Sequence, residues 1–492
     1  MGGTLASRVT GLVRNSLLAQ FFPPAILDAF VTAFKVPNLF RELLAEGALT
    51  NSFVPIYKRL DAADARQLAG ALLSLLLIVN GVLLIVAYVT APFVARLLIS
   101  DAGNVDVELT TRLIRVVFPF LPAISLSALA MGILNAEERF FAPAWAPVAL
   151  NIVTVTCMAL FPGHAVMLAA AHVLGGAAQL IVQVPALVRL GALPRLGALR
   201  HPELVNVALL MVPFAFTAGG RQVLNVVASN VITGIDAGAQ GAYYLADLFL
   251  SLALGLFSIS PALAFYSRLS AHAATDEQSF GATLEDGLRF ITFLTVPAGL
   301  ALWSFSGPAV DVVYNWRSLV GGSMDPVLRE FTIAATAPLG LAVFPLGVFN
   351  LLVRTLYIRG NVRTPVVLVL VTLALQAGLY LALAPRLGIA GVSWAVAIGS
   401  FVQLLLAGWL VHRAERFGAV RVATYTLKVW FAAGVATAAA VGAVALVRLG
   451  DGWFAQLGTL VIGGVVLVAV YGALCLAVRL PEVRALARRF RR

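Results

Sequence analysis

The chain has 492 residues, of which 61% are hydrophobic and only 12% are charged. About a quarter of the residues are charged in a typical soluble domain, so this composition excludes a soluble globular protein. The net charge of +11 does not indicate a nucleic-acid partner, because the Arg and Lys residues lie mostly in short loops between apolar runs, as they do in membrane proteins.

Apolar runs recur along the chain, and each has the length of about 20 residues that crosses about 30 Å of hydrocarbon. Because lipid offers the backbone no hydrogen-bond partner, continuous runs of this kind must be helices, and the strands of a transmembrane barrel would alternate instead. We therefore predict an all-α integral membrane protein with about fourteen transmembrane helices. In chain order, the predicted spans are 4–22, 27–56, 68–99, 109–134, 143–161, 164–189, 204–232, 240–266, 286–306, 328–356, 364–384, 389–412, 424–447 and 454–478.

The loops between these spans differ in charge from one side to the other. Arginine and lysine concentrate in alternate loops, such as those around Arg59, Arg195 and Arg413, and in the C-terminal tail. The positive-inside rule places these loops and both termini in the cytoplasm, which requires an even number of spans. No cleavable signal peptide is predicted at the N-terminus.

A weak internal repeat divides the chain. The stretch 55–60 (PIYKRL) resembles 264–269 (AFYSRL), and Gln179 and Gln403 lie in comparable late spans. Repeated halves are a common transporter architecture with the substrate site between them. The predicted division is an N-lobe of six helices at 1–200, a C-lobe of six helices at 201–416, and two further helices with a basic cytoplasmic tail at 417–492.

The first two spans carry more charge than ordinary membrane helices. Their charged residues are Arg8, Arg14, Asp28, Lys35, Arg41, Glu42 and Glu46. A charge at the centre of a span costs about 2.5–3.5 kcal/mol on insertion scales, so these side chains must face protein or a water-filled cavity. Guanidinium groups stay charged and bind phosphate oxygens in pairs, which predicts a multiply anionic substrate. An exporter of cationic drugs would need an acidic cavity instead.

Arg14 and Arg41 are the strongest candidates, because both lie well inside long spans. Arg8 lies near the N-terminus, and its side chain could instead extend to the membrane surface. Asp28 precedes an apolar run and could instead be the N-cap of the second helix.

Three further charged residues also have two interpretations. Glu42 and Glu46 are four residues apart and could neutralise Arg41 on the same helix. Arg221, in the seventh span, would face the first span across the cavity if the repeat holds, or it could form a local ion pair.

Nothing in the sequence indicates an enzyme or a cofactor. Metal sites need clusters of His, Cys or carboxylates, and a Walker A motif and a GxSxG motif are both missing from the sequence. The stretches 267–285 and 307–327 are predicted to be non-helical and are too short for the catalytic domain of a membrane glycosyltransferase. The histidines are scattered singly and are expected to be loop, packing or helix-end residues: His164, His172, His201, His272 and His412.

Several motifs resemble one known family. The first is Ser7-Arg8-Val9-x-Gly11-x-x-Arg14, continued by Asp28-Ala29-Phe30-x-x-Ala33-Phe34-Lys35-Val36-Pro37-Asn38-Leu39-x-Arg41, Ala45-Glu46-Gly47-Ala48 and Phe53-Val54-Pro55. Others are Tyr357-x-Arg359-Gly360-Asn361-x-Arg363-Thr364-Pro365 and Leu387-Gly388-Ile389-Ala390-Gly391. With these motifs the chain resembles the MurJ (MviN) family, the lipid II flippases of bacterial peptidoglycan synthesis.

The resemblance implies a MOP-superfamily, MATE-like fold in the bacterial cytoplasmic membrane, with two six-helix lobes and two added helices. It implies movement of lipid II, an undecaprenyl-pyrophosphate-linked disaccharide peptide, from the inner to the outer leaflet. The expected partners are lipid II or a similar lipid, membrane lipids, and proteins of cell-wall synthesis. The family's functional positions carry over to Arg8, Arg14, Arg41 and Asp28, with matches also at Ser7, Asn38 and Glu46.

The chain departs from the family at two positions. Asn15 stands where an aspartate is usual, and Leu248 stands where the eighth span usually has a functional arginine. Our hypothesis is that Arg221 replaces that arginine. The departures also leave open a flippase for another undecaprenyl-pyrophosphate-linked glycan, such as an O-antigen or capsule unit, and a non-transporting scaffold of a cell-wall complex.

Overall fold

The computed structural model describes residues 2–44, 48–101, 103–273, 277–320, 322–361, 363–415, 417–447, 449–450 and 452–482. Over these ranges the backbone is almost entirely helical and contains no strand. Ten of the described helical segments are long and apolar enough to cross a membrane, judged by length and composition. The prediction of an all-α membrane protein is confirmed, whereas the count of fourteen spans stays a prediction.

The chain forms two compact units, Met1–Gly241 and Ala242–Arg492. The helices that begin in the first unit are α1 (Gly2–Phe21), α2 (Pro24–Leu44), α3 (Ala48–Tyr57), α4 (Ala62–Leu98), α5 (Val107–Val117), α6 (Phe120–Ala136), α7 (Phe141–Leu160), α8 (Ala165–Ile181), α9 (Val184–Arg189), α10 (Pro202–Thr233) and α11 (Ala239–Leu254). Those of the second unit are α12 (Ser260–His272), α13 (Glu277–Ser304), α14 (Ser306–Tyr314), α15 (Pro326–Ile358), α16 (Arg363–Glu415), α17 (Ala419–Val447) and α18 (Trp453–Ala477). The lobe boundaries at residues 200 and 416 stay a prediction.

In the first unit, α1 lies directly against α7. A Cβ on Gly3 would come within 2.7 Å of the carbonyl oxygen of Ala144, so only glycine allows this approach. The side-chain amide of Asn151 donates to the carbonyl of Ser7 at 3.2 Å and to the hydroxyl of Thr10 at 3.1 Å. Small residues and interhelical hydrogen bonds are what holds helices together in lipid, and here they fix the orientation of α1.

Helix α16 has 53 residues, which at 1.5 Å per residue is far too long for one membrane crossing. It is broken at Gly388, whose φ of 57° and ψ of −138° are not helical. An added Cβ on Gly391 would collide with the carbonyl oxygen of Leu383 across the break. Both glycines belong to the third family motif, so that motif encodes a close bend between the two predicted spans 364–384 and 389–412.

Arg359, from the second family motif, fixes the ends of several helices in the second unit. Its Nη2 donates to Oε2 of Glu415 at 2.8 Å, and its Nε lies 3.0 Å from the same oxygen. Its Nη1 donates to the carbonyl of Ala273 at 3.1 Å, and the guanidinium lies 4.2 Å from the ring centroid of Phe280. This arginine therefore has a structural role in joining α13, α15 and α16.

The prediction of non-helical structure at 267–285 and 307–327 was wrong. Helices α12 and α13 occupy most of the described part of the first stretch, and α14 with a 3₁₀ turn at Trp316–Val320 occupies most of the second.

Tertiary contacts explain why α14 forms. Arg329 of α15 makes two hydrogen bonds to the carboxylate of Asp311, at 2.5 and 2.6 Å. The indole of Trp453 donates to the carbonyl of Val312 at 3.0 Å. These partners lie in other helices, and a segment of nine residues is too short to give a local signal for them.

We expect Arg359→Ala to lower the free energy of unfolding by about 3 kcal/mol, because it leaves the Glu415 carboxylate buried without its counter-charge. The matched control is Lys58→Ala, which removes the exposed pair of Lys58 with Glu138 at 3.3 Å and should cost about 0–1 kcal/mol. Thermal unfolding in detergent measures both variants. Equal melting temperatures for the two variants would contradict the structural role of Arg359.

Candidate functional site

Arg14 lies half-buried on α1 and contacts a neutral partner. Its Nη2 lies 3.3 Å and its Nε 3.4 Å from the amide oxygen of Asn15, which is buried. At Asn15 the family usually has an aspartate, which would neutralise the guanidinium. An amide oxygen instead orients the guanidinium and leaves its positive charge in place.

Arg41 repeats this arrangement on α2. Its Nε donates to the amide oxygen of Asn38 at 2.9 Å, one helical turn away. Both residues are half-buried, and Pro37 lies beside them inside the helix. The structure therefore brings together Arg41 and Asn38, as the family motif implies, and again pairs a guanidinium with a neutral oxygen.

The remaining predicted residues of α1 have different surroundings. Arg8 is exposed, and within the described ranges no hydrogen bond or ion pair involves its side chain. Ser7 contributes its backbone carbonyl to the contact of α1 with α7. Ser7 therefore has a packing role in this structure.

Three predicted positions lie where the structure describes no side chain. Glu46 is outside the described residues, and so is the side chain of Arg221, whose backbone belongs to α10. The side chain of Glu42 is also outside the described part. The roles predicted for these three residues stay predictions.

Asp28 is buried, with 1% of its surface exposed, and it binds the start of another helix. One carboxylate oxygen accepts from the backbone N–H of Gly238 at 2.6 Å, and the other accepts from that of Gly241 at 2.7 Å. These N–H groups lie at the first turn of α11, where the helix dipole favours a negative charge. Asp28 itself lies inside α2, so the interpretation that it is the N-cap of α2 was wrong.

Two glycines allow this contact, and the sequence analysis missed them. Gly238 has a φ of +91°, which L residues with a side chain rarely adopt. A Cβ on Gly241 would lie 2.6 Å from the side chain of Leu27 and 3.2 Å from the carboxylate of Asp28. The glycine pair just before and inside the predicted eighth span was the available signal, but its partner is more than 200 residues away.

The ring of His172, on α8, packs against the apolar part of α2. The ring is 96% buried, and its centroid lies 4.8 Å from that of Phe30 and 5.1 Å from that of Phe34. Its Nδ1 lies 2.9 Å from the carbonyl of Leu168, one turn earlier on α8. His172 is thus a packing residue, as predicted from its isolation in the sequence.

Helix α11 carries the position at which the chain departs from the family. Leu248 is half-buried there, next to Asp247. The hydroxyl groups of Tyr243 and Tyr380 contact each other, and both lie in the electrostatic field of Asp247. The described part of α11 therefore supplies a carboxylate and hydroxyl groups, and no arginine.

We expect Asp28→Asn to loosen the first turn of α11, since an amide offers one acceptor oxygen where the carboxylate offers two. Hydrogen bonds to charged groups contribute about 1.5–3 kcal/mol, so amide hydrogen exchange at 238–241 should become about tenfold faster. The control is Asp61→Asn at the N-cap of α4, where Asn and Asp cap equally well. Unchanged exchange at 238–241 in Asp28→Asn would contradict the role of this carboxylate.

Comparisons with known proteins match the whole architecture. A solved structure titled "Lipid II flippase MurJ, inward closed conformation" superimposes with a TM-score of 0.80 at 20% identity, covering 97% of this chain and 98% of that chain. An inward-facing multidrug-resistance MATE transporter of the MOP superfamily superimposes with a TM-score of 0.68 at 17% identity, covering 84% and 96%. At these identities the matches show the fold alone, and the predicted helical, MATE-like fold is confirmed.

The sequence comparisons identify the family. A Burkholderia cenocepacia protein named lipid II flippase MurJ is 31% identical over 423 residues, which are 82% of this chain and 81% of that protein. The family model described as lipid II flippase MurJ matches residues 18–471. Because this match extends over nearly the whole chain, the chain belongs to the MurJ family.

Proposed function

We propose that this protein moves lipid II from the inner to the outer leaflet of the bacterial cytoplasmic membrane by alternating access. The observation that carries the proposal is the pair of arginines on the first two helices, Arg14 and Arg41, each oriented by an amide oxygen. The family to which the chain belongs supports the identity of the substrate.

The chemistry of the pair fits a pyrophosphate. Each guanidinium presents a planar fork of donors that matches phosphate oxygens. Asn15 and Asn38 carry no net charge, so these two amide contacts orient the guanidinium groups without neutralising them. The insertion cost of about 2.5–3.5 kcal/mol per charge is then offset when the pyrophosphate of the substrate binds.

In this proposal, two acidic residues couple substrate binding to the conformational change. Asp28 holds the first turn of α11 in the conformation described, and it releases that turn when it pairs with a cation in another state. Glu46 has the corresponding role near Arg41. Substrate shifts the balance only through contacts that differ between the two states.

We expect the protein to be a transporter without a cofactor, rather than an enzyme. The distribution of Arg and Lys among the loops supports cytoplasmic termini. Proteins of cell-wall synthesis are the expected protein partners, because the moved lipid is consumed outside the membrane.

A second candidate is a flippase for another undecaprenyl-pyrophosphate-linked glycan. The observation that favours it is Leu248, which replaces a functional arginine of the family with an apolar side chain. Such a protein would keep the arginines for pyrophosphate and differ in how it recognises the sugar. A non-transporting scaffold is the third candidate, favoured by the same position and by Asn15.

Complementation tests the choice among these candidates. Expressed in a bacterium depleted of its own lipid II flippase, the chain should restore growth, and Arg41→Ala should not, because it removes a pyrophosphate ligand. Arg66→Ala, at an exposed position of α4, is the matched control and should grow as the parent does. Immunoblots of isolated membranes check that all three are present at equal levels.

If the well-expressed parent does not restore growth, the lipid II proposal is contradicted. A flippase for another glycan or a non-transporting scaffold is then favoured. Growth of Arg41→Ala at the parental rate would remove the arginine from the mechanism.

A separate test addresses the proposed replacement by Arg221. We expect Arg221→Ala to abolish growth in the same strain, because the family's arginine is missing at Leu248. The double variant Arg221→Ala with Leu248→Arg should restore growth by returning the charge to the family's position. If Arg221→Ala alone grows normally at full membrane level, the replacement hypothesis is wrong.

A further inference from the structure

The helical segment that runs from Ala239 to His272 changes its backbone pattern in the middle. Residues Gly255–Ile259 form one π-helical turn between α11 and α12. A π-turn is rare, and it often occurs at functional sites, because its hydrogen bonds skip one more residue than those of an α-helix. Here it is not followed by a loop, so it interrupts an otherwise continuous helix.

A proline explains the position of this turn. Pro261 lies two residues after the turn, has no N–H to donate, and crowds the carbonyl one turn earlier. The wider π-turn accommodates the ring. The hydroxyl of Ser260 donates to the carbonyl of Gly255 at 3.0 Å, which supplies one hydrogen bond at the turn.

The side chain of Ser258 joins the π-turn to α15. Ser258 is fully buried, and its hydroxyl donates to the carbonyl of Gly347 at 2.9 Å. A Cβ on Gly347 would lie 2.9 Å from the methyl group of Thr295 and 3.3 Å from Cβ of Ser258. Three helices therefore meet at Gly347 without space for another atom.

The neighbouring helix α13 also contains a proline, but another group replaces the hydrogen bond that the proline removes. Pro297 cannot donate to the carbonyl of Phe293, four residues earlier. The hydroxyl of Tyr471, on α18, donates to that carbonyl at 2.9 Å. Helix α13 is thus tied to α18 at its proline and gives the π-turn a fixed support.

The two sides of the π-turn have different anchors. Helix α12 packs along α13 and α15. Helix α11 is held at its first turn by Asp28, and the hydroxyl of Tyr314 donates to the carbonyl of Leu245 at 3.1 Å. A helix fixed along one side of an irregular turn and held by hydrogen bonds on the other side can bend at that turn.

We propose that the π-turn 255–259 is a hinge, that the hydrogen bond from Ser258 to Gly347 fixes its pivot, and that α11 swings on it when Asp28 releases its first turn. With 16 residues, α11 is about 24 Å long. A bend of about 20° would move its first turn by about 8 Å. The hinge is measured without any substrate, so its test is independent of the proposed function.

Distances between two spin labels in lipid nanodiscs test the hinge. Nitroxides are placed at Ala237→Cys, just before α11, and at Val327→Cys, at the start of α15, with Cys157 and Cys475 replaced by serine. The variant Asp28→Asn is used to release the first turn of α11. We expect Asp28→Asn to broaden the distance distribution by about 8 Å relative to the parent.

Two further variants should act in opposite directions on the Asp28→Asn background. Pro261→Ala restores regular α-helical hydrogen bonding and should return the distribution to a narrow peak. Ser258→Ala removes the hydroxyl at the pivot and should broaden the distribution further. Pro202→Ala, at the first turn of α10, is the matched proline control and should change nothing.

The hinge is overturned if Asp28→Asn leaves the parental distance, or if Pro261→Ala and Ser258→Ala both leave the Asp28→Asn distribution unchanged. Gel filtration and thermal unfolding check that each variant is folded. Should Pro261→Ala fold poorly, Ser258→Ala alone decides, since it removes one hydroxyl and leaves the backbone pattern intact.

Discussion

The positive charge carried by the first two helices is the constraint on which the proposed site depends. Each such charge costs about 2.5–3.5 kcal/mol when it is inserted at the centre of a span, and the first two helices carry several. The fold meets this constraint with close packing of α1 on α7 through Gly3 and Asn151. This packing fixes the orientation of α1 and therefore the position of Arg14 on it.

Four arginines of the described ranges illustrate two kinds of hydrogen-bond partner. Arg359 and Arg329 bind carboxylates with two or more hydrogen bonds, and they join helices of the second unit. Arg14 and Arg41 contact amide oxygens. A carboxylate cancels the charge of an arginine, whereas an amide oxygen orients the guanidinium without cancelling its charge.

Much of the architecture was predictable because lipid imposes simple rules on a sequence. Long apolar runs located most of the described helices, and the break at Gly388 falls between two predicted spans. The ends were less accurate, since α13 begins at Glu277 and not at the predicted residue 286. The failures have a common physical origin in contacts between distant residues. Helix α14 depends on Arg329, and the role of Asp28 depends on the N–H groups of Gly238 and Gly241. No local pattern encodes such partners, whereas the pairing of Arg41 with Asn38 is local and was marked by the family motif.

The most direct test of the central claim is transbilayer movement of lipid II by the purified protein. Fluorescent lipid II is placed in both leaflets of proteoliposomes, and a membrane-impermeant quencher reports the fraction that reaches the outside over time. The parent should expose nearly all of the label and Arg14→Ala only the half that starts outside. A parent indistinguishable from protein-free vesicles, with the protein folded and correctly inserted, would contradict the account.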